Sequence, residues 1–181
     1  GRPTGRSDAY ALGLCTHCIE ASEFDRISAA LADADPVDPL LDALHRDPGE
    51  GALTAARRSV IRETFAASSV LEIIACLEQV SGSERAFGLE IAADLKSRSP
   101  LALAVSHRAI MRARDLDLRE TLIQDYRIAA RFLETPDFAE GVRALLIDKD
   151  RKPKWQPLAL SGVLDLQVDG FFAAPVGGDL R

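Results

Sequence analysis

The chain has 181 residues, enough for one domain with an ordinary core, and 47% of them are hydrophobic, which excludes wholesale disorder. The formal net charge of −6 offers no face-wide basic patch, so nucleic acid and anionic membranes make poor partners. No apolar run reaches the roughly eighteen residues a spanning helix needs, and three cysteines, Cys15, Cys18 and Cys76, are too few for a disulfide framework and suit a reducing compartment.

In chain order, Leu14 to Ile19 reads as a short strand, framed by Gly13 and the polar Glu20-Ala21-Ser22. The pattern after it is helical almost throughout. Phe24, Ile27 and Leu31 recur at helical spacing across 22–32, and Asp33 to Pro39 is a proline-punctuated break. A short helix at most covers 39–45, ended by Asp47-Pro48-Gly49. Residues 52–65 carry Leu53, Val60, Ile61 and Phe65 at helical spacing. Ser69 and Glu72 form a capping box ahead of a helix with Val70, Ile73, Ile74 and Leu77 inward. A helix over 84–95 presents Phe87, Ile91 and Leu95. Ser99 caps the next, with Pro100 at its first position and Leu101, Ala104, Val105 and Met111 on one side. Asp117 and Glu120 make a second capping box, opening a long helix with Leu118, Leu122, Tyr126, Ala129 and Leu133 on its stripe.

Thr135, Pro136 and Asp137 then start a short amphipathic helix with the stripe Val142, Leu145 and Leu146. It runs into Asp148 to Lys154, which sets Lys149, Arg151, Lys152 and Lys154 beside Trp155. Four cations and an indole at one spot could hold a phosphate-bearing ligand; a solvated helix end with lysines against the dipole is the plainer reading. Beyond Trp155 little regular structure is expected. The fold class is therefore mostly α, one short strand followed by a helical region, with a soft boundary across 36–51.

Other chemistry is thin. Cys15 and Cys18 form a Cys-x-x-Cys, but residues three apart on a strand point to opposite faces, so they should not converge on a metal. No metal ligands are expected in this chain. Among the histidines, His17, His45 and His107, the last lies mid-helix and reads as a hydrogen-bonded structural residue. Asp125 should share the inner side of its helix with Tyr126 and make a structural ion pair or hydrogen bond. No nucleophile elbow, Walker loop or Gly-x-Gly-x-x-Gly is present.

The segment Glu140-Gly141-Val142-Arg143-Ala144, two aliphatics, Asp148-Lys149-Asp150, then Pro153-Lys154-Trp155 resembles the C-terminal signature of the 3-hydroxyisobutyryl-CoA hydrolases, of the crotonase (enoyl-CoA hydratase/isomerase) superfamily. Gly5-Arg6-Ser7-Asp8-Ala9-Tyr10, Gly13-Leu14-Cys15-Thr16-His17, Phe65 to Val70, Ser99-Pro100 and Asp125-Tyr126-Arg127 look like further parts of that family. The resemblance implies the C-terminal part of an α/β crotonase-like fold, with residues 1–35 ending its core and 36–181 forming its C-terminal helical region. It implies an acyl-CoA thioester hydrolase of valine breakdown whose catalytic residues lie upstream, so none is expected in this chain and the chain alone should be inactive. No separate cofactor is expected, since coenzyme A is part of the substrate. Lys149 is implied to meet the adenine-nucleotide end of coenzyme A, helped by Lys152 and Lys154. Where hydratases offer an aromatic to the adenine, this chain has Ala129. The implied partners are the acyl-CoA substrate and the N-terminal half of the same enzyme, and a homo-oligomer is compatible. The implied location is the cytoplasm of a bacterium or the mitochondrial matrix of a eukaryote. A sister hydratase or isomerase, or a non-catalytic helical interaction module, are the competing readings.

Overall fold

The structure, a computed structural model, describes residues 3–180 and divides the chain into two compact units, 1–59 and 60–181. In the first unit lie helices α1 (Arg6–Ala11), α2 (Phe24–Ala32) and α3 (Val37–Leu44). Helix α4 (Ala55–Thr64) carries the chain across the boundary. No strand forms among the described residues. Leu14 to Ile19 runs irregularly because a strand needs a ladder, and nothing described pairs with it. Its backbone is held instead at two points: Leu14 N–H donates to Ala9 O (2.9 Å), while Cys18 N–H donates to His45 Nδ1 (3.0 Å) and Arg46 N–H donates to Cys18 O (2.9 Å).

A buried carboxylate organises this unit. Asp8 accepts the N–H groups of Ala52 (3.2 Å) and Leu53 (2.8 Å). Residue 51 must be glycine for that to happen, because a Cβ there would fall 2.0 Å from Asp8 Oδ1. The expected apolar stripe of α2 is left largely open, with Phe24 and Leu31 both exposed.

The second unit continues with α5 (Val70–Gln79), α6 (Arg85–Lys96), α7 (Pro100–Ala113), α8 (Leu118–Leu133), α9 (Pro136–Val142) and a short α10 (Asp165–Asp169). Val70, Ile73, Ile74 and Leu77 of α5 bury against Ala92 of α6, with Ile91 and Leu95 packed alongside. Gly88 lets the two helices close: a Cβ at 88 would meet Leu77 O at 2.6 Å. The second core joins Leu101 and Val105 of α7 to Val168, Phe171 and Phe172, with the Phe132 and Phe171 ring centroids 4.6 Å apart. The segment after Trp155 is therefore more ordered than expected, since it supplies three core side chains. Arg108 of α7 ties it down through Asp165 (2.8 Å) and Asp169.

Caps follow the sequence with one exception. Ser99 accepts from Ala102 N–H (3.1 Å), and Asp117 with Glu120 completes a reciprocal box. At α5 only half the box forms. Ser69 accepts from Glu72 N–H (3.2 Å), but the Glu72 carboxylate turns to the N–H (3.0 Å) and hydroxyl (2.6 Å) of Ser68. Those bonds hold its pKa below the ordinary carboxylate value.

On α8 the expected stripe is rotated outward. Leu118, Leu122 and Leu133 are exposed, while Gln124 is buried and Ile128 and Phe132 pack into the core. Asp125 sits on the exposed side, so no structural partner is required of it. Its neighbour Arg127 does that work, pairing with both oxygens of Asp179 (2.5 and 2.6 Å) and donating to Phe172 O (2.9 Å). His107 departs too: its Nε2 is buried and has no hydrogen-bond partner among the described residues.

Candidate functional site

The basic segment after α9 is shaped by one guanidinium. Thr135 caps α9, accepting from Phe138 N–H (3.4 Å), and Pro136 takes the first helical position. After Val142 the helix widens into a π-helical turn, Arg143–Ile147. That turn shifts the register. Ala144 becomes the buried residue, while Leu145 and Leu146, expected on the inner stripe, are 61% and 63% exposed. The helix then closes through Asp148 N–H to Arg143 O (2.8 Å) and Arg151 N–H to Ala144 O (3.0 Å). Lys149 and Arg151 both sit in the left-handed region at φ 55°. For residues with a Cβ this costs about 1–2 kcal/mol each and persists only where the surroundings impose it.

Arg143 supplies the imposition. It pairs with both oxygens of Glu140 (2.8 and 2.9 Å), with Asp148 (2.5 Å) and Asp150 (2.8 Å), and reaches Lys152 O (3.3 Å). Two of its carboxylates fix the backbone in turn. Asp150 accepts Lys152 N–H (2.8 Å) and Glu140 accepts Lys154 N–H (2.7 Å). Arg143 and the Lys154 amide hold the Glu140 carboxyl down to about 2. Arg143 and the Lys152 amide lower Asp150, and Arg143 itself is pushed up by its carboxylates.

A second carboxylate anchors the tail. Asp137 is buried, accepts the Ser99 hydroxyl (2.5 Å) and the Gln156 N–H (2.7 Å), and so joins the start of α7 to the chain beyond Trp155. The Trp155 indole donates to Ser97 O (3.0 Å). Beside it opens a groove of about 750 Å³ whose walls include Phe132, Phe138, Leu145, Leu146 and Trp155, together with Arg98 and Arg151.

Lys149, Lys152 and Lys154 thus lie in one short loop, exposed, and none has a carboxylate partner among the described residues. They are not part of the groove wall. Arg98 and Arg151 are; Arg151 is one of the four cations the sequence sets beside Trp155, whereas Arg98 is not among the residues it points to. The signal for Arg151 is its place in the alternation of Asp148, Lys149, Asp150 and Arg151; Arg98 has no sequence signal. Chemically, the loop can receive an anion at exposed ammonium groups, next to an apolar groove able to take a flat or aliphatic group. Ala129 is exposed on α8, and no aromatic stands in its place.

The Cys-x-x-Cys lies in a different backbone from the one the sequence suggested. Cys15 and Cys18 do not point apart on a strand, because no strand forms among the described residues. Burial, followed by the adjacent Cys15 thiol, pushes the Cys18 thiol up. Among the described residues no three His, Cys, Asp or Glu side chains converge as metal ligands. His17 bonds to Asp42 (2.8 Å) and Thr16 (2.9 Å), and His45 accepts the Cys18 amide, so both have structural work.

Comparison with known proteins agrees with the fold. A 3-hydroxyisobutyryl-CoA hydrolase of Danio rerio, named as mitochondrial, is 32% identical over 96% of this chain and 47% of its own length. The corresponding Homo sapiens protein is 30% identical over the same shares. 3-Hydroxyisobutyryl-CoA hydrolase 1 of Arabidopsis thaliana is 32% identical over 92% of this chain and 47% of its own. The chain therefore spans about half the length of the curated relatives it matches. Among solved structures, a carnitinyl-CoA dehydratase from Mycobacterium thermoresistibile superposes with a TM-score of 0.84 at 33% identity, over 98% of this chain and 50% of that one. An enoyl-CoA hydratase from Rhodobacter sphaeroides 2.4.1 gives 0.79 at 31% identity, with the same coverage. The family model of the enoyl-CoA hydratase/isomerases matches residues 1–172, and the chain belongs to that family.

Proposed function

We propose that this chain is the C-terminal half of an acyl-CoA thioester hydrolase whose substrate is 3-hydroxyisobutyryl-CoA, a step of valine breakdown. In this reading the catalytic carboxylate and the backbone donors for the thioester oxyanion belong to the other half of the enzyme, which is also this chain's partner. Residues 1–35 end the core α/β unit and 36–181 form the C-terminal helical region. Coenzyme A enters as part of the substrate, with no separate cofactor. Lys149 meets the phosphates at its nucleotide end, and Lys152 and Lys154 add to the local positive charge. The site of action is the bacterial cytoplasm or, in a eukaryote, the mitochondrial matrix.

The observation that carries the reading is 30–32% identity, over nearly the whole chain, to relatives named as 3-hydroxyisobutyryl-CoA hydrolases. The exposed ammonium groups of the loop, which form no salt bridge among the described residues, support the nucleotide contact. A second reading, a hydratase or dehydratase of the same family, draws on the titles of the two solved neighbours.

The test uses the complete enzyme. Thiol release from 3-hydroxyisobutyryl-CoA is measured against hydration of crotonyl-CoA, and thiol release should dominate. The 181-residue chain alone should release no thiol above background. Dominant hydration would move the protein to the hydratases. Turnover by the chain alone would refute the placement of its catalytic groups elsewhere.

A further inference from the structure

The four residues Asp148, Lys149, Asp150 and Arg151 alternate in sign, and so do their surroundings. Both carboxylates turn to the Arg143 guanidinium, at 2.5 and 2.8 Å. Both cations occupy left-handed backbone and keep exposed side chains without carboxylate partners among the described residues. Left to itself, such a sequence in water would pair its own neighbours and present no net sign. Here one buried-side cation takes both acids.

We propose that Arg143 is the positioning residue of an anion-binding loop: by engaging Asp148, Asp150 and Glu140 it sorts the alternating charges, holding the acids on its own guanidinium and leaving Lys149, Arg151, Lys152 and Lys154 without a carboxylate ion pair among the described residues. Arg143 need not touch the ligand. Its planar fork is suited to the task, since it bonds Glu140 through two nitrogens while reaching two further carboxylates and the Lys152 carbonyl. The hold extends along the backbone. Glu140 and Asp150, fixed by Arg143, accept the N–H groups of Lys154 and Lys152, so the loop's path depends on the same guanidinium. The Glu140 carboxyl is held low chiefly by its bonds to Arg143, followed by the Lys154 amide, the same contacts the geometry shows.

The inference rests on the reading of Lys149 as a coenzyme A contact and names the group on which that contact depends. It makes an unusual demand. Removing Arg143 should cost anion binding at least as much as removing Lys149, although only Lys149 meets the phosphate. Once Arg143 is gone, Asp148 and Asp150 are free to pair with Lys149 and Arg151, and the loop neutralises itself.

The experiment measures coenzyme A affinity calorimetrically at low and high salt in the complete protein, for wild type, Lys149→Ala, Arg143→Gln, and Asp148→Asn with Asp150→Asn in both the wild-type and Arg143→Gln backgrounds. Lys149→Ala should weaken coenzyme A about three- to five-fold at low salt, the ceiling for one exposed charge contact. Arg143→Gln should weaken it at least as much, and both losses should shrink at high salt. Neutralising the two acids should raise the affinity more in the Arg143→Gln background than in the wild type, because only there are they free to pair with the loop's cations; an equal rise in both backgrounds would overturn the sorting role. Amide hydrogen exchange at Lys152 and Lys154 should quicken in Arg143→Gln. Should that variant fail to fold, Arg143→Lys keeps the charge without the fork and should show the same losses in smaller measure.

The outcomes separate. If Lys149→Ala weakens binding and Arg143→Gln does not, the positioning role is overturned and the nucleotide reading stands. If only Arg143→Gln weakens it, the Lys149 assignment falls and the loop acts through its other cations under Arg143. If neither changes the affinity, both are overturned.

Discussion

Replacing Gly88 by alanine sets two effects of opposite sign against each other. Position 88 lies inside α6, where alanine is favoured over glycine by about 1 kcal/mol. Packing opposes the change. A Cβ there would stand 2.6 Å from Leu77 O, 2.8 Å from Val80 Cβ and 3.1 Å from Val80 Cγ2. The first falls about 0.8 Å short of the 3.4 Å at which ordinary contact begins, and a main-chain oxygen cannot swing aside. Helices α5 and α6 must part instead, loosening Ile73, Ile74, Leu77 and Ala92 together. Overpacking of this kind costs roughly 1–3 kcal/mol, and a backbone clash lies toward the upper end. The net effect is destabilisation by roughly 1–2 kcal/mol, or about 2–8 °C in Tm for a chain of this size. Gly141→Ala is the control. It gains the same helical preference, while its Cβ would meet only the Trp155 ring, at 3.5 and 3.7 Å, so it should be neutral or stabilise by up to about 1 kcal/mol. Thermal unfolding followed by circular dichroism reads both. A Gly88→Ala protein that melts at or above wild type would show that α5 and α6 do not close as tightly as described.

Asp137→Ala should destabilise by roughly 3 kcal/mol, since it orphans the Ser99 hydroxyl and the Gln156 amide at a buried carboxylate; Asp137→Asn, which keeps one acceptor, should cost less, and urea unfolding of the two variants checks the order. Acid should loosen the loop through Glu140. Its pKa falls from 4.5 to about 2 on folding, so its contribution is complete above about 4.5 and is lost as pH drops through about 2. The protection factor of the Lys154 amide should therefore fall over that window, and Glu140→Gln should remove that pH dependence while leaving Lys154 less protected than in the wild type at neutral pH.

The helices of the second unit were legible because their signals are local. Ser99-Pro100 and Asp117 with Glu120 name their own helix starts, and Val70, Ile73, Ile74 and Leu77 recur at the period that buries them. The failures share a cause: each depended on something beyond the segment. Leu14 to Ile19 has strand composition, but a strand exists only through a partner. The stripe of Leu118, Leu122 and Leu133 has the right spacing, yet periodicity fixes only which residues share a face. The core met by α8 is built by Phe171 and Phe172, about forty residues on, and it selects Ile128 and Phe132 instead. At Ser69 the box motif is present, but Ser68 offers Glu72 a hydroxyl and an amide together and wins it.

The basic loop shows the same limit in the candidate site. Its cations could be counted from the sequence, and Lys149 could be selected from the family signature. What the sequence did not disclose is that Asp148 and Asp150 are both engaged by Arg143. That requires Arg143 on the preceding turn to face them, and the π-helical register of 143–147 is what turns it there. In a regular α-helix, Leu145 and Leu146 would have kept the buried stripe that their spacing suggests. One extra residue in the turn exposes those leucines to the groove, buries Ala144, and gathers three carboxylates on one guanidinium. The apolar groove and the sorted charges therefore share an origin. A substitution restoring α-helical register at 143–147 should perturb both at once, whereas changes to Lys149 should perturb neither.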